Sequence, residues 1–364
     1  MDVERARRCG APKNRPRAAS APRAPKCASG RATRPRAFSD RARRCYTPET
    51  MRQRPLGATS LDVTELALGT WGLSGDGYGP VGEAEQDRVI DRALAMGIRL
   101  FETADSYGEG RMEQRLAERL AGTSDARVVT KIGTRRDATF SRKDFSIPYL
   151  REAFQRSRER LGREKVDCLL LHNPSRRAFE RAELAEFMSD LRSKGEVSCW
   201  GASVGSSEAG RAAIQAGAQV LELAHNVFHT LDLNELESEI VQHNVGVLGR
   251  SVLSHGVLCG LWPHDKQFPS FDHRAERWNN DELRTRITQL NALRTLLSSS
   301  LPSLRAIALR FALSSERLAA IVLGPRNALQ LDQLVREAGS EPPYLDERSL
   351  ADLRERLVTV GVYL

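Results

Sequence analysis

The sequence predicts an α/β protein, a closed (β/α)8 TIM barrel with an N-terminal β-hairpin and a long loop after the seventh strand. From Glu65 onward, short apolar runs alternate eight times with helical patterns, which is typical of a barrel of parallel strands. No G-x-G-x-x-G motif follows the first run, which argues against an open dinucleotide-binding sheet. The 364 residues are enough for one large domain or two ordinary ones.

The eight predicted strands lie in largely apolar runs of six or seven residues. In chain order they lie in ELALGT, RLFETA, RVVTKI, VDCLLLH, VSCWGAS, VLELAHN, VGVLGRS and AAIVLG. Between them, EAEQDRVIDRALAMG and IPYLREAFQRSRERLG repeat apolar residues at helical spacing. These two helices are predicted to stop at Gly97 and Gly162, because glycine just past the last periodic residue commonly ends a helix.

Two segments interrupt this alternation. Residues 52–64 predict a small hairpin that closes the bottom of the barrel. Residues 254–280 form a long insertion after the seventh strand, with two tryptophans and three histidines. Loops of this length at strand ends commonly bind ligands. The three histidines are spaced nine residues apart through prolines, a pattern unlike known metal sites, so we expect no metal.

The first fifty residues differ in composition from the rest of the chain. They hold twelve Arg and two Lys against four acidic residues, whereas the other 314 hold 41 basic and 43 acidic residues. Rich in Arg, Ala, Pro and Ser, residues 1–50 are predicted to be a disordered extension of a barrel domain at 51–364. Three interpretations stay open: an upstream extension before a true start at Met51, which we favour, a transit-type peptide, or a nucleic-acid-binding arm.

The body of the chain has a composition typical of a cytoplasmic protein. Its charges nearly balance, so it carries no basic footprint for nucleic acid. No apolar run approaches the roughly 18 residues of a membrane span. The six cysteines contain no C-x-x-C pair, and Cys168 and Cys199 fall inside predicted strands, where cysteine acts as a small buried hydrophobe. We therefore expect a reducing, cytoplasmic environment with no membrane or nucleic-acid partner.

Polar residues follow three neighbouring strands at their carboxyl ends. Glu102 ends the second strand, Lys131 the third and His172 the fourth, while Tyr107 lies in the loop just past Glu102. A barrel gathers these strand ends at one mouth, which is where barrel chemistry takes place. We therefore predict that the four side chains converge there.

The four residue types suit proton transfer to a carbonyl oxygen. Free tyrosine titrates near pH 10, and a nearby ammonium is expected to lower that pKa. A carboxylate behind the lysine would hold it in place, and a histidine could orient a carbonyl by hydrogen bonding. Such a site could protonate an alkoxide that forms under hydride attack.

The sequence resembles the aldo-keto reductases from about Met51 to Glu337. The resemblance is carried by MRQRPLG with LALGTW, ETADSYG, VVTKIG, VDCLLLHNP, WGASV, GVLGRSVLSHGVLCG and IVLGPRNALQLDQL. It implies a (β/α)8 barrel that binds NADPH without a Rossmann fold and reduces carbonyl groups. By motif position, Tyr107 would be the general acid, Lys131 its pKa partner, His172 the carbonyl-orienting residue, and Glu102 the acid that holds Lys131.

The resemblance also implies a cofactor site and a substrate wall. Arg326 matches the position that holds the 2′-phosphate, which favours NADPH over NADH. Trp71, Tyr78, Trp262 and Trp278 are candidate pocket walls, with Tyr107 and His172 also facing substrate. The implied cofactor-binding residues are Ser203, Glu222, Arg250, Ser251, Leu253, Gly256, Gly324, Arg326, Gln330 and Gln333.

Five positions depart from the family pattern. Glu102 replaces an aspartate, Val204 an asparagine, Glu222 a glutamine, Val252 a proline and Leu334 a late asparagine. The changes around the nicotinamide position are expected to lower turnover without altering the fold, since an ionised glutamate accepts hydrogen bonds but donates none.

Two functions from different classes remain at this point. The first is an NADP(H)-dependent oxidoreductase that reduces a small aldehyde or ketone, or oxidises the corresponding alcohol, as a monomer or weak homo-oligomer. The alternative is a cofactor-binding regulatory subunit of the same fold with little catalytic activity. Intact Tyr107, Lys131 and His172 favour the enzyme.

Overall fold

A computed structural model describes residues 51–136 and 141–362 of the chain. The predictions for residues 1–50, including the domain boundary at residue 50, lie outside the described residues. The predicted N-terminal hairpin is confirmed: β1 (Gln53–Pro55) pairs antiparallel with β2 (Asp62–Thr64). It covers the amino end of the barrel, because the Ala58 backbone N–H donates to the Asn244 carbonyl at 2.7 Å.

Eight parallel strands close into a barrel, as the sequence predicts. Hydrogen bonds between the last and the first of these strands close the ring. Most of the observed strands are shorter than the predicted runs. An antiparallel hairpin of β6 (Thr134–Arg136) and β7 (Ser141–Lys143) stands outside the barrel. In chain order the eight barrel strands are β3 (Leu66–Gly69), β4 (Leu100–Glu102), β5 (Arg127–Ile132), β8 (Val166–His172), β9 (Val197–Ser203), β10 (Val220–Ala224), β11 (Gly246–Arg250) and β12 (Ala320–Leu323).

The helices surround the barrel, and both explicitly predicted helices are present. Gly162 ends α4 in the left-handed conformation, with φ of 61°. The twelve α-helical segments of the described chain are α1 (Trp71–Ser74), α2 (Glu83–Ala95), α3 (Arg111–Arg119), α4 (Ile147–Leu161), α5 (Ala182–Ser193), α6 (Ser207–Gln215), α7 (Leu231–His243), α8 (Arg274–Arg277), α9 (Asn280–Leu293), α10 (Leu304–Leu313), α11 (Ala328–Ala338) and α12 (Glu347–Thr359).

Apolar side chains fill the barrel interior and leave its carboxyl mouth polar. Leu100, Val129, Leu170 and Leu248 belong to one buried cluster inside the ring. Cys168 and Cys199 join this cluster as unpaired, buried residues, in agreement with the sequence prediction. No helix in the described part of the chain is long and apolar enough to cross a membrane.

Two loops meet over the barrel mouth. The backbone N–H of His273, in the long loop after β11, donates to the Gly77 carbonyl, in the loop after β3, at 2.8 Å. The His273 ring also packs against the Trp71 and Tyr78 rings, with centroids 4.7 Å away in each case. These contacts fix one wall of the cavity at the strand ends.

Candidate active site

A cavity of about 1040 Å³ opens at the carboxyl ends of the barrel strands. Tyr78 and Trp262 form part of its wall, whereas Trp278 packs elsewhere, in the cluster with Leu283 and Leu290. The predicted site residues that line this cavity are Trp71, Glu102, Tyr107, Lys131, His172, Ser203, Glu222, Arg250, Ser251, Leu253, Gly256, Gly324, Arg326, Gln330 and Gln333.

Lys131 is the centre of the four candidate catalytic residues Glu102, Tyr107, Lys131 and His172, which we call the reacting cluster. Its side chain, 1% exposed, projects from β5 and contacts the Glu102 carboxylate at the end of β4. The ammonium donates to the Thr103 carbonyl at 3.0 Å and to the Tyr107 hydroxyl at 3.2 Å. Glu222 Oε2 lies 3.7 Å from Lys131 Nζ. Lys131 therefore joins the phenol to two carboxylates.

Tyr107 is held by the tight turn that follows β4. The turn continues through Gly108 and Glu109, both with φ of 58°. The Gly108 N–H donates to Asp76 Oδ2 at 2.7 Å, which ties this turn to the loop after β3. The Tyr107 and His172 rings meet edge to face with centroids 5.8 Å apart. The phenol and the imidazole thus border the same region of the cavity.

Gly69 makes room for the long side chain of Glu102. The two residues are partners in the β3–β4 register. A Cβ atom at residue 69 would lie 2.9 Å from Glu102 Oε2 and 2.6 Å from Val322 Cγ1, closer than packing allows. The barrel mouth therefore accommodates glutamate, and its carboxylate still contacts Lys131.

The pKa of Tyr107 is raised, whereas the sequence predicted that it would be lowered. Burial raises the pKa of the phenol above its ordinary value, and Glu222 raises it further, while Arg250 opposes the rise. The expectation was wrong because removal of water destabilises the phenolate more than the surrounding cations stabilise it. Tyr107 is consequently a protonated phenol near neutral pH.

Burial also disfavours the charged forms of the two basic residues. It lowers the pKa of Lys131 to about 8, while Glu222 acts in the opposite direction. The pKa of His172 falls well below its usual value through burial and the charge of Lys131. His172 is therefore a neutral imidazole, and its Nδ1 has no hydrogen-bond partner among the described residues.

Glu222 lies in the middle of β10, and Arg250 ends the neighbouring strand β11. Glu222 is 1% exposed, and its Oε2 has no hydrogen-bond donor in the described chain. Arg250 donates to the Val204 carbonyl at 2.8 Å and to the Ser251 hydroxyl at 3.4 Å. Val204 thus contributes a backbone oxygen to this wall, although its side chain is apolar.

The turn after β11 has an unusual backbone. Ser251, Ser254 and His255 have φ of 56°, 45° and 56°, in the left-handed region that non-glycine residues rarely adopt, and Gly256 follows at 101°. The Ser254 N–H donates to the Ser251 carbonyl at 2.7 Å, and the Asn226 side chain donates to the same oxygen at 3.0 Å. Such strain is typical of ligand-binding turns.

Arg326 lies at the opposite end of the cavity, just before α11. Its guanidinium donates to the carbonyls of Gly72, Gly79 and Pro80 at 3.3, 2.8 and 3.1 Å. Its backbone N–H donates to Gln330 Oε1 at 2.8 Å. Arg326 thus holds the loop after β3 and lines the cavity at the same time.

Sequence reasoning missed a second arginine at this end. Arg274 forms an ion pair with Asp272 and faces the rings of Tyr78, Phe268 and Trp262, at 4.8, 4.7 and 5.3 Å from their centroids. Arg277 lines the cavity as well. The mixture of aromatic and basic residues in the 254–280 loop was the available signal for these positions.

The β6–β7 hairpin was also missed, and it supplies two cations to the lining of the cavity. Arg136 forms an ion pair with Asp76 at 2.6 Å. Lys143 donates to Thr134 Oγ1 at 2.7 Å. All four residues line the cavity. This hairpin lies between two predicted barrel elements, where the alternation of strands and helices gave no indication of it.

Comparisons with known proteins agree with this architecture. The Aldo/keto reductase family profile matches residues 65–353. A pyridoxal 4-dehydrogenase of Microbacterium luteolum is 26% identical over 326 residues, which cover 78% of this chain and 92% of that protein. A D-threo-aldose 1-dehydrogenase of a Pseudomonas species is 26% identical, over 79% of this chain and 92% of its own length. The solved structure of a glycerol dehydrogenase from Gluconobacter oxydans superposes with a TM-score of 0.74 at 22% identity, over 86% of this chain and 97% of that one.

Proposed function

Because the chain belongs to the aldo/keto reductase family of nicotinamide-dependent oxidoreductases, we propose that it interconverts a small aldehyde or ketone and its alcohol with NADP(H). The observation that carries this proposal is the contact of Tyr107 with Lys131, beside His172, in the cavity at the strand ends. Two relatives are named for oxidations, a pyridoxal 4-dehydrogenase and a D-threo-aldose 1-dehydrogenase, so both directions are included.

The residues of the cavity fit a nicotinamide dinucleotide. At one end, Glu222 Oε2 and His172 Nδ1 are buried without a hydrogen-bond partner among residues 51–136 and 141–362, so a polar ligand would satisfy them. At the other end, a Cβ atom added at Gly324 would meet no atom within 4 Å, which leaves space beside the start of α11. Arg326 and Arg274 make that end cationic, as a phosphorylated ligand requires.

Each residue of the reacting cluster has a distinct role in this proposal. The cofactor supplies or accepts the hydride. Tyr107 delivers a proton from its hydroxyl to the oxygen of the substrate, and the Lys131 ammonium stabilises the phenolate that remains. The neutral His172 orients the substrate oxygen by a hydrogen bond. Glu102 holds Lys131 against the phenol.

Arg326 supports NADPH as the preferred cofactor. A guanidinium is well suited to a 2′-phosphate, because it binds oxygens through several N–H groups. NADH remains the alternative cofactor, since Arg326 also has a structural task in holding the carbonyls of Gly72, Gly79 and Pro80.

The test is turnover with purified protein. NADPH is mixed with a panel of aldehydes and ketones, and NADP⁺ with the corresponding alcohols, while the near-ultraviolet absorbance of the reduced cofactor is followed. We expect consumption of NADPH with at least one carbonyl substrate, and no such change with Tyr107→Phe. Tight NADPH binding without turnover of any substrate in the panel would contradict the proposed enzymatic activity and favour the cofactor-binding regulatory subunit.

A further inference from the structure

Glu222 is a buried carboxylate that the proposed roles leave unused. It projects from β10 into the cavity, with only 1% of its surface exposed. An ammonium has three protons to donate, and Lys131 has three closer acceptors: the Thr103 carbonyl, the Tyr107 hydroxyl and the Glu102 carboxylate. Glu222 Oε2, at 3.7 Å from Lys131 Nζ, therefore receives no hydrogen bond in the described part of the chain.

The groups around Tyr107 leave one oxygen of Glu222 without a hydrogen-bond donor in the described chain. Glu102 and Glu222 contribute two carboxylates, and Lys131 contributes one ammonium. Arg250 contributes a second cation to the cluster, but its hydrogen bonds go to the Val204 carbonyl and the Ser251 hydroxyl, and Glu222 Oε2 receives none. Glu222 shares the Lys131 ammonium with Glu102, and a buried carboxylate oxygen without a hydrogen-bond donor is unfavourable, so this wall favours a positive group in the adjacent cavity.

The proposed reaction creates a positive group at this end of the cavity. In carbonyl reduction, a bound reduced cofactor would supply a hydride, a hydrogen with its bonding electron pair, to the carbonyl carbon. The Tyr107 O–H bond would break as its proton bonds to the carbonyl oxygen, leaving a phenolate, and the oxidised cofactor ring would carry a positive charge. Hydride and proton reach the two atoms of one C=O group, so the ring has to approach the Tyr107 end of the cavity.

We propose that Glu222 selectively stabilises the cationic, oxidised form of the bound nicotinamide and thereby makes the bound reduced cofactor a stronger hydride donor. This inference rests on the proposed function. It gives the replacement of glutamine by glutamate a role, in contrast to the sequence-based expectation that the change lowers turnover. A fixed negative charge placed where positive charge develops also stabilises the transition state for reduction.

Equilibrium binding of the two redox forms tests the proposal without turnover. Dissociation constants for NADP⁺ are measured by calorimetry, and those for NADPH by fluorescence titration, on the full chain and on Glu222→Gln. A charge at about 4–6 Å changes an ionisation equilibrium by roughly 10-fold or more. We therefore expect Glu222→Gln to weaken NADP⁺ relative to NADPH by about 10-fold, equivalent to about 30 mV in a two-electron potential.

Two further variants separate charge from shape. Glu222→Asp keeps the carboxylate, so this variant should still bind NADP⁺ more tightly than NADPH. Glu65→Gln removes another buried carboxylate, which pairs with Arg54 at the amino end of the barrel, and should leave the ratio of the two constants unchanged. Should Glu222→Gln fail to fold, the full chain must still bind NADP⁺ more tightly than NADPH.

The possible failures are distinguishable. Equal weakening of NADP⁺ and NADPH in Glu222→Gln would show that Glu222 only accepts a hydrogen bond, and would overturn the inference alone. Tighter binding of NADPH than of NADP⁺ by the full chain would also overturn it. Absence of binding for either form would overturn the proposed function, and this inference with it.

Discussion

The two ends of the cavity are built in different ways. At the reaction end, defined by Glu102, Tyr107, Lys131, His172 and Glu222, four of the five residues end barrel strands or lie within them. At the arginine end, defined by Arg274, Arg277 and Arg326, the side chains come from the loop after β11 and from the residue before α11. The barrel itself fixes the first group, whereas the second depends on contacts between loops.

This difference predicts different sensitivities to mutation. The reaction end is a connected network in which Lys131 joins the phenol to two carboxylates, so a change of about one ångström in one member displaces the others. Arg274 and Arg326 contact ring faces and backbone carbonyls, which tolerate small shifts. We therefore expect large kinetic effects at the reaction end and smaller, binding-only effects at the arginine end.

The largest effect is expected from removal of the Tyr107 hydroxyl. Tyr107→Phe should lower kcat about 10²–10⁴-fold, the usual contribution of general acid catalysis. The dissociation constant of NADPH should change little, because the ring and its contact with His172 remain. Steady-state kinetics and fluorescence titration measure the two quantities.

Tyr78 at the arginine end offers a matched control for this change. Its hydroxyl is 3.4 Å from His255 Nδ1, a weak interaction. Tyr78→Phe removes the same atom as Tyr107→Phe, and should leave kcat nearly unchanged. An equal loss of kcat in both variants would contradict the distinction between the two ends.

The next largest effect concerns the length of the acid at position 102. Glu102→Asp withdraws the carboxylate by up to about 1.5 Å, one carbon–carbon bond. Because Gly69 leaves space for the longer side chain, aspartate should open a gap to Lys131 and lower the rate by up to about 10²-fold. Steady-state kinetics of Glu102→Asp and Glu102→Gln test this. A higher rate in Glu102→Asp would show that glutamate at this position lowers the activity. Kinetics of Glu102→Gln equal to those of the parent protein would show that the carboxylate has no catalytic role.

The reaction end was largely predictable from sequence. Glu102, Lys131 and His172 follow apolar runs, and parallel strands bring their carboxyl ends to one mouth whatever the surrounding loops do. The direction of the Tyr107 pKa shift was not predictable, because it depends on how completely the protein excludes water from the phenol. The space that Gly69 leaves for the Glu102 side chain was not predictable either, because it depends on the register between β3 and β4.

The arginine end was predictable only in part. Arg326 was found through the segment IVLGPRNALQLDQL, but its bonds to carbonyls of the loop after β3 join residues about 250 positions apart. Arg274 was missed because its aromatic surroundings assemble from Tyr78 and the long loop, which share no periodic pattern. Loop contacts of this kind arise from tertiary packing, so the mixture of aromatic and basic residues in the 254–280 loop indicated a binding segment but not which arginine lines the cavity.

A smaller effect, on binding alone, is expected at Arg326. Arg326→Ala should weaken NADPH more than NADH, because only NADPH carries the 2′-phosphate, and charge-assisted bonds contribute about 1.5–3 kcal/mol. Both cofactors should also lose some affinity, since the variant releases the carbonyls of Gly79 and Pro80. Titration with each cofactor measures the difference, and Arg326→Lys should recover part of it. Equal losses for both cofactors would assign Arg326 a purely structural role.

The smallest effect is expected at Arg274, where the guanidinium packs among three rings. Arg274→Lys keeps the positive charge and the ion pair with Asp272, but loses the planar group that lies 4.7 Å from the Phe268 ring centroid. Cation–π contacts at such partly exposed sites contribute about 0.5–1 kcal/mol, so the affinity for NADPH should fall only a few-fold.

Because Arg274→Lys acts on the wall of the cavity and not on the reacting groups, its kcat with saturating cofactor should match the parent value. NADPH and NADH should be affected alike, in contrast to Arg326→Ala, since stacking of the loop after β11 does not depend on the 2′-phosphate. Cofactor titrations and kcat at saturation measure these quantities together. A large fall in kcat would mean that the loop after β11 positions the reacting groups, so that the two ends of the cavity work as one unit.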